Sequence, residues 1–335
     1  MLKRLATAVT AGLLIGSTAA AQTDINFTLD WRFEGPASPY FLALDNGHFE
    51  AEGLNVEISP GEGSLDAIPK VATGAYPMGF ADMASLIKFL DANEGAPVTA
   101  VMMLYDKPAF AVIGRRSLGV EVPADLEGRR LGAPPPDGAW AQFPAFASAN
   151  GLDMDAITVE DVGFPTRAPM LAQGNVDAIT GFSFTSFLNV RRLGVDEDDI
   201  SVILMADHGL ELYGNALIVN TDFAGENPEV VTGFLRAVVA GLKDTVADPE
   251  SGVAALAQRN PALDEDLELE RLELALRDNI MTDWVREHGV GGIDEDRFAR
   301  ALDQIAETYE FQRDPDPALY FTDAYLPDAA ERMID

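Results

Sequence analysis

The sequence predicts an α/β fold of two lobes with a helical C-terminal region. Two observations carry this. Strand and helix patterns alternate through two successive blocks, and after residue 220 only long helical patterns remain. Such alternation marks mostly parallel sheets covered on both faces.

In the first block, Ile25 to Trp31 alternates apolar and polar residues with the two-residue period of a strand. Pro39 opens an apolar helix that runs towards Gly53. Leu54 to Ile58 reads as a strand, and Pro60-Gly61-Glu62-Gly63 as a turn. Ser64 is placed to N-cap the next helix, with Pro69 in its first turns or kinking it. Met78 to Asp82 and Val98 to Leu104 are strands around a helix from Ala84 to Ala92.

The second block repeats the pattern. Its strands are Phe110 to Arg115, Arg130 to Ala133, Ile157 to Val162, Asp177 to Gly181 and Ser201 to Met205. Helices are expected at Ala139 to Asn150 and Pro169 to Gln173, and the set is complete enough to form a lobe of its own. Ala216 to Asn220 is the last strand. The helical segments Pro228 to Val246, Ser251 to Arg259, Glu268 to Asn279 and Asp294 to Tyr309 are most simply packed around the two units. The acidic runs Asp196 to Asp199 and Asp264 to Glu270 read as solvated helix starts or loops.

Lys3 and Arg4, the apolar run Leu5 to Ile15 and Ala19-Ala20-Ala21 form a signal-peptide pattern over residues 1–21, with cleavage expected after Ala21. The apolar run falls short of the roughly 20 residues that a bilayer span needs. The chain has no cysteine, which excludes disulfides, thiolate metal sites, a cysteine nucleophile and a lipid-anchored cysteine. Export without such an anchor suits a periplasm. Asp and Glu number 55 against 23 Lys and Arg, a net charge of −32 that becomes −34 without the leader. Such a field repels phosphate backbones and argues against nucleic-acid partners; solubility, with self-repulsion screened in a salty medium, explains it simply. No Gly-x-Ser-x-Gly, His-Glu-x-x-His or Gly-Lys-Ser/Thr motif is present.

Several stretches carry a family likeness. They are Leu29-Asp30-Trp31, Pro39 to Ala43, Gly47-His48-Phe49, Glu52 to Val56, Gly74-Ala75-Tyr76, Gly79 to Asp82, Asp125 to Gly132, Gly174 to Ala178 and Asn227-Pro228-Glu229. In this order they resemble the periplasmic proteins that bind nitrate, alkylsulfonates, taurine and thiamine pyrimidine precursors. The resemblance implies a type II periplasmic-binding fold with two α/β lobes around a ligand cleft. Lobe I would comprise residues 22–108 and 217–335, and lobe II residues 109–216. It also implies a monomer that delivers a small molecule to the permease and ATPase of an ABC importer, without cofactor, metal or catalysis. One branch of the family makes a thiamine pyrimidine from its own histidine, using iron and a cysteine-rich motif. This chain has no cysteine and only His48, His208 and His288, which disfavours that activity.

In open α/β sheets, ligands bind beyond the carboxyl ends of the parallel strands. That rule and the predicted crossings near Asp106 to Phe110 and Tyr213 to Leu217 select the candidate ligand-binding residues. They are Asp30, Trp31, Glu62, Asp82, Tyr105, Asp137, Trp140, Phe164, Phe182 and Tyr213. Rings suit a flat ligand held between opposite lobes. Acids including Glu34 and Asp106 outnumber the bases Arg32, Lys107 and Arg167 in these loops. Carboxylates accept hydrogen bonds, so they suit a pyrimidine or other N-heterocycle. A taurine-like aminosulfonate or nitrate is the alternative, and a ligand-sensing partner of a membrane receptor is the rival class. Glu62 and Asp137 serve equally well as turn or cap residues.

Overall fold

The computed structural model describes residues 22–334, so the expected signal peptide, residues 1–21, lies outside the described residues. Among those described, no helix is long and apolar enough to cross a membrane.

The strands are β1 (Thr23–Thr28), β2 (Leu54–Ser59), β3 (Met78–Asp82), β4 (Val98–Met103), β5 (Phe110–Arg115), β6 (Arg130–Ala133), β7 (Thr158–Asp161), β8 (Ala178–Phe182), β9 (Ile200–Leu204) and β10 (Asn215–Asn220). They form two five-stranded sheets, ordered β2-β1-β3-β10-β4 and β7-β6-β8-β5-β9. β10 runs antiparallel to both β3 and β4, and β5 runs antiparallel to both β8 and β9. The expected mostly parallel sheets are therefore present, each with one reversed strand. In each sheet that strand is the first the chain makes on arriving from the other. Strands such as β4 are buried along their whole length, as expected where helices cover both faces. β7, at a sheet edge, is exposed throughout and carries Thr158, Glu160 and Asp161, which discourage edge-to-edge pairing.

Arg297, on the helix Glu295–Ala306, ties the two crossings together. Its guanidinium donates to the Asp106 carboxylate at 2.8 Å and to the carbonyls of Asp106 and Leu212 at 2.6 and 2.8 Å. It also lies 4.0 Å from the Tyr213 ring centroid. Lys107 and Asn279 exchange hydrogen bonds through the Lys107 backbone, which pins the first crossing to the helical tail.

Several local expectations are corrected. The helix after β2 spans Ser64–Ala72, but its cap is Gly63, at φ +114°, which leaves the Ser64 hydroxyl free for other partners. The helix expected from Pro169 begins five residues earlier, at Phe164, because Pro165 suits a first turn; Phe164 and Arg167 are thus helical rather than in a loop. In the run Asp264 to Glu270, Asp264 caps the helix Glu265–Ala275 as expected. Glu268, however, is buried against Arg271 at 2.9 Å and is not solvated, while Glu270 stays partly exposed and pairs with Arg191 at 2.7 Å.

The tail packs closely. Helix Pro228–Ala247 lies on helix Ser38–Asp45. A Cβ at Gly241 would stand 2.1 Å from the Pro39 carbonyl. We expect Gly241→Ala to lower stability by about 1–3 kcal/mol in urea unfolding, because overpacking displaces the helix. Gly225→Ala, facing open space in helix Thr221–Glu226, should leave the unfolding midpoint unchanged or raise it.

Candidate functional site

A cleft runs between the carboxyl ends of the parallel strands of the two sheets. It encloses about 720 Å³, counting the part continuous with solvent. One wall comes from the loop after β1, with Asp30, Trp31, Arg32 and Glu34, together with Tyr40, Ser64, Phe80 and Tyr105. The other comes from Pro136 to Gly138, the helix start with Phe164 and Arg167, and the end of β8 with Phe182, Phe184 and Thr185.

Seven aromatic rings line the cleft. Tyr40 meets Phe80 at 5.8 Å, Phe80 meets Tyr105 at 5.3 Å, Tyr105 meets Phe184 at 6.3 Å and Phe184 meets Phe182 at 5.8 Å. All four contacts are edge to face, an arrangement that the ring quadrupole favours. Across the cleft, Trp31 and Phe164 stand 5.0 Å apart with planes at 69°. Arg32 lies 5.6 Å from the Trp31 ring, and Arg167 5.2 Å from the Phe164 ring.

Two carboxylates define the polar character. Asp30 follows β1 and is buried; Asn215 donates to its Oδ2 at 2.6 Å and Ser64 at 3.3 Å. Burial outweighs these bonds and pushes the Asp30 carboxyl up to about 7. Asp137 is also buried and raised by desolvation, although Arg167 at 3.3 Å and Thr180 at 2.9 Å oppose the shift. Glu34 links the two walls: it accepts from Trp31 Nε1 at 3.3 Å and from Thr185 Oγ1 at 2.9 Å. The Arg271 guanidinium stands 3.3 Å behind it.

The structure therefore brings Asp30, Trp31, Tyr105, Asp137, Phe164 and Phe182 to one cleft. The other candidates lie outside its lining. Glu62 is exposed in its turn, and only its backbone N–H is held, by Asp66. Asp82 is buried beneath, where its carboxylate accepts from Ala84 and Ser85 to cap helix Met83–Ala92. Trp140 stacks on Phe143 at 5.6 Å and joins the core behind the cleft. Tyr213 is engaged by the tail, its hydroxyl accepting from Asp294 N–H at 2.7 Å. Tyr40, Ser64, Phe80, Phe184 and Thr185 also line the cleft and are not among the candidates selected from the sequence. Phe184 and Thr185 directly follow β8, where the strand-exit rule points; Tyr40 sits inside an apolar helix start that reads as core.

The chain matches the family described as NMT1/THI5 like over residues 36–252. The riboflavin-binding protein RibY of Chloroflexus aurantiacus is 26% identical over 296 residues, covering 87% of this chain and 82% of the relative. The formylaminopyrimidine-binding protein of Halalkalibacterium halodurans is 28% identical over 257 residues, covering 75% and 76%. A 4-amino-5-hydroxymethyl-2-methylpyrimidine phosphate synthase of Saccharomyces cerevisiae is 25% identical, covering 80% and 82%. Among solved structures, the alkanesulfonate-binding protein SsuA of Xanthomonas axonopodis pv. citri, bound to MOPS, superposes with a TM-score of 0.68. At 17% identity it covers 90% of this chain and all of that one, a likeness of fold. The fold is that of periplasmic binding proteins.

The raised Asp30 carboxyl has a consequence for stability. From about pH 4 to about pH 7 the folded state holds a proton on Asp30 that the unfolded chain has released, so the contribution of Asp30 to stability falls as pH rises. Asp30→Asn should therefore gain on the wild type across that window, by an amount on the order of 2–4 kcal/mol. Urea unfolding at a series of pH values measures this; a constant difference would contradict the raised carboxyl.

Proposed function

Because this chain belongs to the NMT1/THI5-like family, we propose that it is a solute-binding protein whose cleft takes a flat nitrogen-bearing ring, such as a pyrimidine or a flavin. The observation that carries this reading is the cleft itself. Two ring-lined walls from different sheets face each other around a buried acceptor, Asp30. Such a site suits an aromatic solute with N–H donors, and relatives named for riboflavin and formylaminopyrimidine point the same way. A sulfonate or nitrate fits less well. Arg167 is already paired with Asp137, and the cation that remains, Arg32, is exposed.

The protein performs no chemistry in this reading, although the family includes synthases. The chain has no cysteine, and none of its histidines lines the cleft: His48 bonds Asp244 at 2.7 Å, His208 lies edge-on to Phe146 and His288 stacks on Trp284. It would work in the periplasm as a monomer and hand its solute to the permease and ATPase of an ABC importer. Lobe I would take residues 22–108 and 217–335, lobe II residues 109–216, with closure about the two crossings. A solute touching both walls binds the shut form better and shifts the population towards it.

A thermal-shift screen of the mature chain with pyrimidines, riboflavin, alkylsulfonates and nitrate tests this. The heterocycles should raise the melting point, by about 2.7 kcal/mol of stability at a hundredfold excess over Kd. Trp31→Ala should weaken binding at least tenfold while the free protein still unfolds cooperatively. Stabilisation by sulfonates or nitrate alone would refute the ring reading, and consumption of the ligand would refute the binder.

A further inference from the structure

Tyr40 stands in the first turns of helix Ser38–Asp45, and its side chain is 1% exposed. Its ring packs against Phe27 at 5.1 Å and Phe80 at 5.8 Å, so position and rotamer are fixed. It lines the cleft, yet its buried hydroxyl has no hydrogen-bond partner among the described residues. A buried hydroxyl without a partner destabilises a fold, and phenylalanine would fill the same space without that penalty. Packing explains the ring; it does not explain the oxygen.

Tyr40 and Asp30 line the same cleft, and burial, with smaller contributions from Tyr105 and Asp30, raises the phenol's pKa. Tyr40 therefore remains a neutral O–H donor. On Asp30, both Asn215 and Ser64 donate to Oδ2, its own backbone N–H adds a further bond to the carboxylate, and among the described residues no side chain donates to Oδ1. The lining of the one cleft thus offers an unpartnered donor, the Tyr40 hydroxyl, and an acceptor to which no described side chain donates, Asp30 Oδ1.

We propose that Tyr40 and Asp30 together read one edge of the solute, with the phenol donating to a ring nitrogen or carbonyl and Asp30 Oδ1 accepting from an adjacent N–H. The class of solute is a heterocycle bearing an amidine or cyclic amide edge. This inference rests on the cleft being the solute site, and it makes Tyr40 a specificity-determining residue. A merely structural role for the hydroxyl and a recognition role differ in sign, because the substitution that relieves the empty protein should harm the complex.

The test is Tyr40→Phe in the mature chain, with formylaminopyrimidine and riboflavin as probes and Trp31→Ala alongside. The free Tyr40→Phe protein should melt at the wild-type temperature or above it, while Kd for whichever probe binds the wild type rises at least tenfold. Unchanged affinity in Tyr40→Phe, with binding lost in Trp31→Ala, overturns the edge assignment and leaves the cleft reading standing. A free variant that melts well below the wild type also overturns it, since the hydroxyl would then have a structural partner. If the wild type binds neither probe, the edge assignment falls together with the ring reading.

Discussion

The cleft exists because each sheet is completed by a strand that arrives from the other. β3 and β4 do not pair; β10 lies between them, and β5 lies likewise between β8 and β9 in the second sheet. The chain must therefore cross twice between the sheets, and both crossings must stay registered for both sheets to form. Arg297 meets that constraint with charged hydrogen bonds to Asp106 and to the Leu212 carbonyl, one from each crossing. The carboxyl ends of the parallel strands are thereby turned towards each other, and the loops that leave them become the walls of one cavity.

Within that cavity, polar groups are few and mostly engaged. Arg167 answers Asp137, and Arg271 supports Glu34 from beneath. Asp30 is different: its partners are neutral amide and hydroxyl donors, with no cation in contact. Desolvation therefore dominates its protonation, and near neutral pH the carboxyl can present either a donor or an acceptor. In an apolar, ring-lined setting this one group gives the site its direction.

Most of the fold was legible from periodicity, since strands buried on both faces, such as β4 and β10, read as continuous apolar runs between turn residues. The strand-exit rule reached Asp30, Trp31, Asp137, Phe164 and Phe182 for the same reason. It misjudged Asp82 and Trp140, which stand at correct exits but point into a helix cap and the core. Side-chain direction there is set by tertiary packing rather than by sequence spacing. Tyr213 failed differently, because its partner Asp294 lies some eighty positions further along the chain. Tyr40 was hidden by its neighbours, being one aromatic among Pro39, Phe41 and Leu42. Glu268 was misread as solvated because composition cannot show that Arg271 meets it.

The contact of Trp31 with Phe164, beside the bond from Thr185 to Glu34, acts as a calliper. If the proposed reading holds, a planar guest would let Thr185 keep its bond to Glu34 across the walls, whereas a bulky or puckered one would prop the jaws ajar and part that pair. Molecules of the wrong thickness could still enter, but the clasp would not latch around them.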